Sequence, residues 1–212
     1  MRLALVLCGM FTGSAASAQQ AFECNKADQL VAVEALEQAK VLTLSAAAAV
    51  GDTPEYARWF GTYSERNAEQ VRATLKAVVT AMRSGAVTLH CNTNREDGCN
   101  EGEYAWVYPH RPLEVQLCPP FFELPPLTAL QPSERRSNYG TREGTMVHEI
   151  SHFLRVADTW DHCYSRRECR EMATDSPNLA VENADSFQYY TEDVTYYARQ
   201  PLTDKPSAAR QD

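Results

Sequence analysis

The run His148-Glu149-Ile150-Ser151-His152 constrains this chain more than any other segment. At 3.6 residues per turn, histidines four apart stand one above the other on a helix, so both imidazoles reach one point in space. Buried imidazoles need partners, and a metal ion can satisfy both at once. Glu149 falls beside them, next to the coordination position that the protein ligands leave open. Zinc lowers the pKa of a bound water to about 7, and a carboxylate so placed can take its proton and pass it to a departing amine. The pattern therefore predicts a zinc helix equipped for peptide hydrolysis. The flanks agree: Thr141 can cap the start, and Met146, Val147, Ile150, Phe153 and Leu154 supply an apolar face that a core would cover.

Two histidines leave an enzymatic zinc one protein ligand short, and the spacing of the third differs between families. Asp158 has the metzincin spacing, but that arrangement turns the chain at a glycine three residues beyond the second histidine, where this sequence has Arg155. Glu171 or Glu182 would give a thermolysin-like site if a second helix brought one of them in. Asp161 is the remaining candidate. Spacing alone leaves these readings open.

The segment Asp158-Thr159-Trp160-Asp161-His162-Cys163-Tyr164-Ser165 resembles the motif GTxDxxYG that follows HExxH in aspzincins, the family of deuterolysins and fungal lysine-specific metallo-endopeptidases. Thr159, Asp161 and Tyr164 match in register. Gly144-Thr145 ahead of the histidines and the stretch Ala180 to Phe187, which contains Asn183-Ala184-Asp185, also look like the family. The resemblance runs from His148 to about Tyr190, and is weaker upstream. It implies one Zn2+ per chain on His148, His152 and Asp161, Glu149 as general base, and Tyr164 as donor to the oxygen that becomes negative when the peptide carbonyl is attacked. A phenol, with a pKa near 10, stays a donor at neutral pH.

In the lysine-specific relatives an Asp and a Glu three residues later line the pocket for the side chain just after the scissile bond. Asp185 matches the first and Gln188 replaces the second, which implies a relaxed preference for Lys or Arg. Both glycines of the motif are missing. Asp158 and Ser165 stand in their places, so turns that glycine would permit must be reached by other residues. A zinc-stabilised binding module without strong catalysis is the competing reading, and the presence of both Glu149 and Tyr164 favours the enzyme.

Residues 1–18 read as a secretory signal: Arg2, the apolar run Leu3 to Phe11, then small residues ending at Ala18. The run is too short to span a bilayer, and an exported, secreted or periplasmic chain without membrane or nucleic-acid partners is expected. Net charge is −8, which disfavours anionic partners and suits protein or peptide substrates, basic ones included. Seven cysteines are present; without Cys8, six remain for an oxidising compartment. Family spacing implies pairs Cys24–Cys91 and Cys99–Cys118, which leaves Cys163 with Cys169, where a short link would hold the loop carrying Asp161 and Tyr164.

One domain over residues 19–199 is expected, monomeric, followed by a polar and disordered tail over 200–212. Its class is α+β, mainly helical and zincin-like, with a small antiparallel sheet. Helices are predicted from Asn25 to Val50 with Leu30, Val33, Leu36 and Leu42 inward, from Thr53-Pro54 to Gly61, and from Ser64 to Ser84 with Val71, Leu75, Val78 and Met82 inward. Alternation at Val87, Leu89 and Cys91, at Tyr104, Trp106 and Tyr108, and at Val115 and Leu117 predicts strands whose edge can hold an extended peptide. A Pro- and Phe-rich loop covers 119–132, and Ser176-Pro177 opens the last main helix. His90 and His110 are expected to make local hydrogen bonds, and His162 to lie beside the site or face solvent.

Overall fold

A computed structural model of the chain describes residues 21–22, 24–92, 98–111, 113–129 and 140–197. The signal over 1–18, the tail over 200–212 and the end of the Pro-rich loop at 130–132 lie outside the described residues.

Three capped helices open the fold. The side chain of Asn25 accepts from the N–H groups of Ala27 and Asp28 at the head of α1 (Lys26–Ala49). Thr53 and Ser64 cap α2 (Pro54–Phe60) and α3 (Glu65–Arg83) in the same way, each satisfying a backbone N–H that helix geometry leaves unpaired. Later come α4 (Pro119–Glu123), a 3-10 turn (Leu127–Ala129), α5 (Arg142–Ser151), α6 (Ser165–Asp175), α7 (Pro177–Ala180) and α8 (Ala184–Tyr197).

The inward face of α3 is the expected one. That of α1 is not: Leu30 is 64% exposed and Val33 and Leu42 are half-buried, while Ala32, Ala35, Leu36, Ala39 and Ala46 face the core. Small side chains let α3, α5 and α8 pack close against α1, and the larger leucines are displaced to its flanks. The buried Phe60 ring lies 5.1 Å from Phe187 and 5.2 Å from Tyr190, which fastens α2 to α8.

The sheet has the order β1-β2-β4-β3, with β1 at Ala21–Phe22, β2 at Thr88–Cys91, β3 at Ala105–Val107 and β4 at Glu114–Leu117. It is mixed, not antiparallel throughout. Only β3 and β4 are antiparallel; β2 runs parallel to β1 and to β4. Alternation at buried Leu89, Cys91, Val115 and Leu117 reveals a strand and its inner face, but carries no information on direction. The chain leaves β2, passes to the far side of β4 to form β3, and returns, which sets β2 and β4 parallel. As a consequence β3 is an edge strand.

Two further departures bear on the site. The helix opened by Ser176-Pro177 stops at Ala180, and α8 starts afresh at Ala184, because the backbone of Glu182 and Ala184 pairs with Trp160 instead of continuing a helical ladder. Leu154 is 45% exposed and lies just past the end of α5, off its core face. The disulfides Cys24–Cys91, Cys99–Cys118 and Cys163–Cys169 are all formed. No described helix is long and apolar enough to cross a membrane.

Candidate metal centre

Thr141 starts α5 by accepting from the Gly144 N–H at 3.0 Å, and the helix that follows carries His148, with His152 as its C-terminal cap residue. Their Nε2 atoms lie 3.1 Å apart, and each is 3.4 Å from Asp161 Oδ1. A tetrahedral zinc with bonds of about 2.0–2.1 Å requires ligand atoms about 3.3–3.4 Å from one another, so this triangle has the right size. Among the described residues this is the group of three that can converge on a metal; Asp158, Glu171 and Glu182 are exposed and outside it.

Hydrogen bonds on the far side of each ring fix which nitrogen is free. His152 Nδ1 lies 2.9 Å from the Thr159 carbonyl oxygen, which can only accept, so the proton sits on Nδ1 and the Nε2 lone pair points inward. His148 Nδ1 lies 2.8 Å from Asp185 Oδ1, with the same result. Two lone pairs and a carboxylate oxygen therefore face one point, an arrangement that only positive charge can stabilise. The protonation balance says the same. Burial alone would lower the His148 pKa, but the Asp185 hydrogen bond and the neighbouring Glu149 and Asp161 charges raise it to about 9. Burial would raise Asp161, yet the His152 hydrogen bond and the two imidazoles outweigh it and hold the carboxyl below its ordinary value.

Glu149 is buried beside this triangle, and burial, with Asp161 and Asp185 nearby, pushes its pKa up against the opposing histidines. Such a carboxylate is more basic than one in water. Tyr164 is 60% exposed at the rim and hydrogen-bonds Asp161; burial, then the Asp161 charge and that bond, raise its pKa and keep the phenol a donor.

The loop between α5 and α6 is held from the end of α5 and from the start of α8 with the residue before it. Thr159 bonds Ser151 through the two hydroxyls at 2.6 Å, and the Asn183 side chain accepts from the N–H groups of His162 and Cys163 at 2.8 and 3.1 Å. Asp185 is shared: Oδ1 orients His148, and Oδ2 accepts from the Ser165 N–H at 3.1 Å. The Cys163–Cys169 disulfide closes the same loop onto α6. Asp185 thus braces His148 and the loop while it also lines the cleft. His162 is exposed and its backbone N–H bonds the Asn183 side chain, and His90 and His110 lie apart from the group His148, His152 and Asp161.

The cleft has a volume of about 750 Å³ and is walled by β3, the end of α5, the loop and α8. Asp185, Gln188 and Tyr189 line it together. Gly140 and Gly144 leave room for this wall, since a Cβ at either would overlap the amide of Gln188 or the carboxylate of Glu192. Sequence reasoning missed the support behind it. Arg166 on α6 is buried and paired with Glu192 and Asp193 of α8, and Glu192 Oε1 also accepts from the Thr141 backbone and hydroxyl at 2.9 Å each. Two adjacent acids within the aromatic run Phe187 to Tyr197 were the available signal, because a buried acid requires a cation or donors.

A family model described as lysine-specific metallo-endopeptidase (aspzincin) matches residues 45–192. An extracellular protease of Aeromonas hydrophila is 32% identical over 139 residues, and a peptidyl-Lys metalloendopeptidase of Grifola frondosa is 33% identical over 144 residues. Each match covers 66% of this chain and 36% of the relative, so the chain spans about a third of the length of these two proteins. The solved structure titled zinc peptidase from Grifola frondosa superposes with a TM-score of 0.68 at 27% identity, over 80% of this chain and 97% of the other. Sequence and shape agree, and the chain belongs to the aspzincin metallo-endopeptidase family.

Proposed function

We propose that the chain is an exported, monomeric zinc endopeptidase, with one Zn2+ held by His148, His152 and Asp161. The observation that carries this reading is the inward convergence of three acceptor atoms at tetrahedral spacing, with a buried carboxylate beside them. Zinc, when bound, supplies a Lewis acid that acidifies water and polarises the scissile carbonyl. Glu149 takes the water's proton and delivers it to the leaving nitrogen. Tyr164 donates to the oxygen that gains negative charge. Asp185 and the Thr159 carbonyl keep both imidazoles in the tautomer that coordinates.

Purified protein is expected to cleave casein, lose the activity to a chelator and regain it with zinc. Glu149→Gln should keep its zinc while the rate falls by about 10²–10⁴-fold. Asp161→Ala should release the metal, whereas Asp158→Ala and Glu182→Ala retain it, as measured by metal content after dialysis. Undiminished proteolysis by Glu149→Gln would overturn the mechanism.

The same reading assigns substrate preference to the wall formed by Asp185 and Gln188. A single carboxylate that is already shared with His148 attracts Lys or Arg, but beside a neutral amide it discriminates weakly. New amino termini from a digested proteome should be enriched in Lys and Arg without strict lysine selection. No enrichment would remove Asp185 from the pocket. Export is supported by the character of residues 1–18 and by three disulfides.

A further inference from the structure

A second cavity, of about 810 Å³, lies past the C-terminal end of α5, between α3, the segment after β3 and the turn that follows His152. Its floor is apolar, with Leu113, Phe153, Leu154 and Val156, and Leu154 is the residue that the fold leaves 45% exposed. Its charged lining is of one sign. Lys76, Arg111 and Arg155 line it with His110, and among the described lining residues there is no carboxylate, although the whole chain carries a net charge of −8. The zinc cleft is the reverse, lined by Glu101, Glu103, Glu149, Asp161 and Asp185.

The two cavities meet at Pro109, which lines both. That ridge is fixed, because the Pro109 carbonyl accepts from the Leu154 N–H at 3.2 Å, and Arg111 is held over the Tyr108 ring at 4.4 Å. The edge strand β3 ends at Val107, two residues before the ridge. An extended peptide paired along the edge of β3 that no described strand occupies is thereby led from the zinc cleft to the basic cavity.

Resting on the peptidase reading above, we propose that the second cavity docks an acidic and apolar stretch of the same polypeptide whose scissile bond lies at the zinc centre. That stretch lies beyond the part of the peptide that passes Pro109, a few residues from the cleaved bond. The substrate class is then a chain with charge of opposite sign at two places: basic at the cut, acidic with an apolar neighbour a few residues away.

The test uses the full zinc-loaded chain and fluorogenic peptides with one common core around the cleaved bond. A tail of Glu, Asp, Leu and Phe, of Lys, Leu and Phe, or of Ala is attached on either side. For one of the two sides, the acidic tail should raise kcat/KM about fivefold to tenfold over the alanine tail through KM, and the gain should vanish at about 0.5 M salt. The double variant Arg111→Glu/Arg155→Glu should invert the ratio and favour the lysine tail. Equal rates for all tails on both sides would overturn the proposal, as would a preference that survives charge reversal. If the core peptide itself is not cleaved, the peptidase reading fails, and anisotropy of the labelled acidic peptide decides the cavity alone. Binding weakened at least fivefold in the double variant supports docking; equal binding in both proteins overturns it.

Discussion

Asp158 and Ser165 occupy positions where the aspzincin motif has glycine, and both keep the backbone that glycine would adopt, with φ of 51° and 74°. Asp tolerates this region better than Ser, so the strain is concentrated at Ser165. That residue's N–H is bonded to Asp185 Oδ2, the carboxylate that also orients His148, and the turn is thereby held beside the His148–His152–Asp161 group. A non-glycine residue in this region costs about 1–3 kcal/mol, and glycine loses about 0.5–1 kcal/mol more entropy on folding. Ser165→Gly should therefore stabilise the chain by about 1 kcal/mol, a rise of about 2–4 °C in Tm, and Ser165→Val should lower it. Scanning calorimetry of the three proteins measures this; a Ser165→Gly variant that melts no higher would show that the turn is unstrained. At this scale the group His148, His152 and Asp161 that the structure brings together was legible in the sequence, since the histidines announce themselves by period and Asp161 by its motif. The double duty of Asp185 was not legible, because its two partners lie 37 and 20 residues away and no local pattern connects them.

The helices α1, α2 and α3 were legible because Asn25, Thr53 and Ser64 cap them and apolar residues recur at helical period. Period identifies an element better than it identifies the element's neighbours. On α1 it selected the leucines, whereas close packing by three helices selected the alanines. Strand alternation likewise gave β2 and β4 but not their parallel pairing. Helix α6 has no legible period because its buried residues are Arg166, Cys169 and Ala173, two of which are buried through a salt bridge or a disulfide rather than as apolar core. The link between Cys163 and Cys169 spans 6 residues and that between Cys24 and Cys91 spans 67. Chain entropy gives the shorter link about 2 kcal/mol and the longer about 4 kcal/mol. The value of the shorter one is positional, since it sits between Tyr164 and α6. Replacing both Cys163 and Cys169 by Ser should lower zinc affinity and kcat/KM by about tenfold or more while Tm falls modestly. A variant that loses stability but retains zinc affinity would show that the link supports the domain and not the loop.

Across the whole molecule, the proposed metal centre draws on three segments far apart in the chain: α5, the loop 158–164 and the start of α8. What keeps them in register is a buried ionic cluster. The Arg166 guanidinium lies 2.8 Å from Asp193 Oδ1, pairs with Glu192 Oε2, and stacks 4.6 Å from the Tyr189 ring. Asp193 in turn accepts from the Trp59 indole at 3.1 Å, and Glu192 accepts from Thr141 at the head of the zinc helix. One arginine therefore joins α2, α6, α8 and the cap of α5. The overall charge of −8 conceals this, because net charge does not distinguish solvated carboxylates from the two that burial makes dependent on a cation. Burial pushes the Glu192 pKa up and Arg166 opposes it, so without the guanidinium a charged carboxylate would be left in the core. Arg166→Ala should accordingly cost about 3–5 kcal/mol, a large share of the about 5–15 kcal/mol that holds a typical domain together. Denaturant titration should show a lower midpoint at unchanged slope, and zinc affinity should fall with it because the Thr141 cap loses its anchor. Arg166→Met combined with Glu192→Gln and Asp193→Asn removes both signs of charge at similar volume and should recover part of the loss. If Arg166→Ala cost less than about 1 kcal/mol, the cluster would be solvated in solution, and the alignment of α5 with α8 would rest on apolar packing alone.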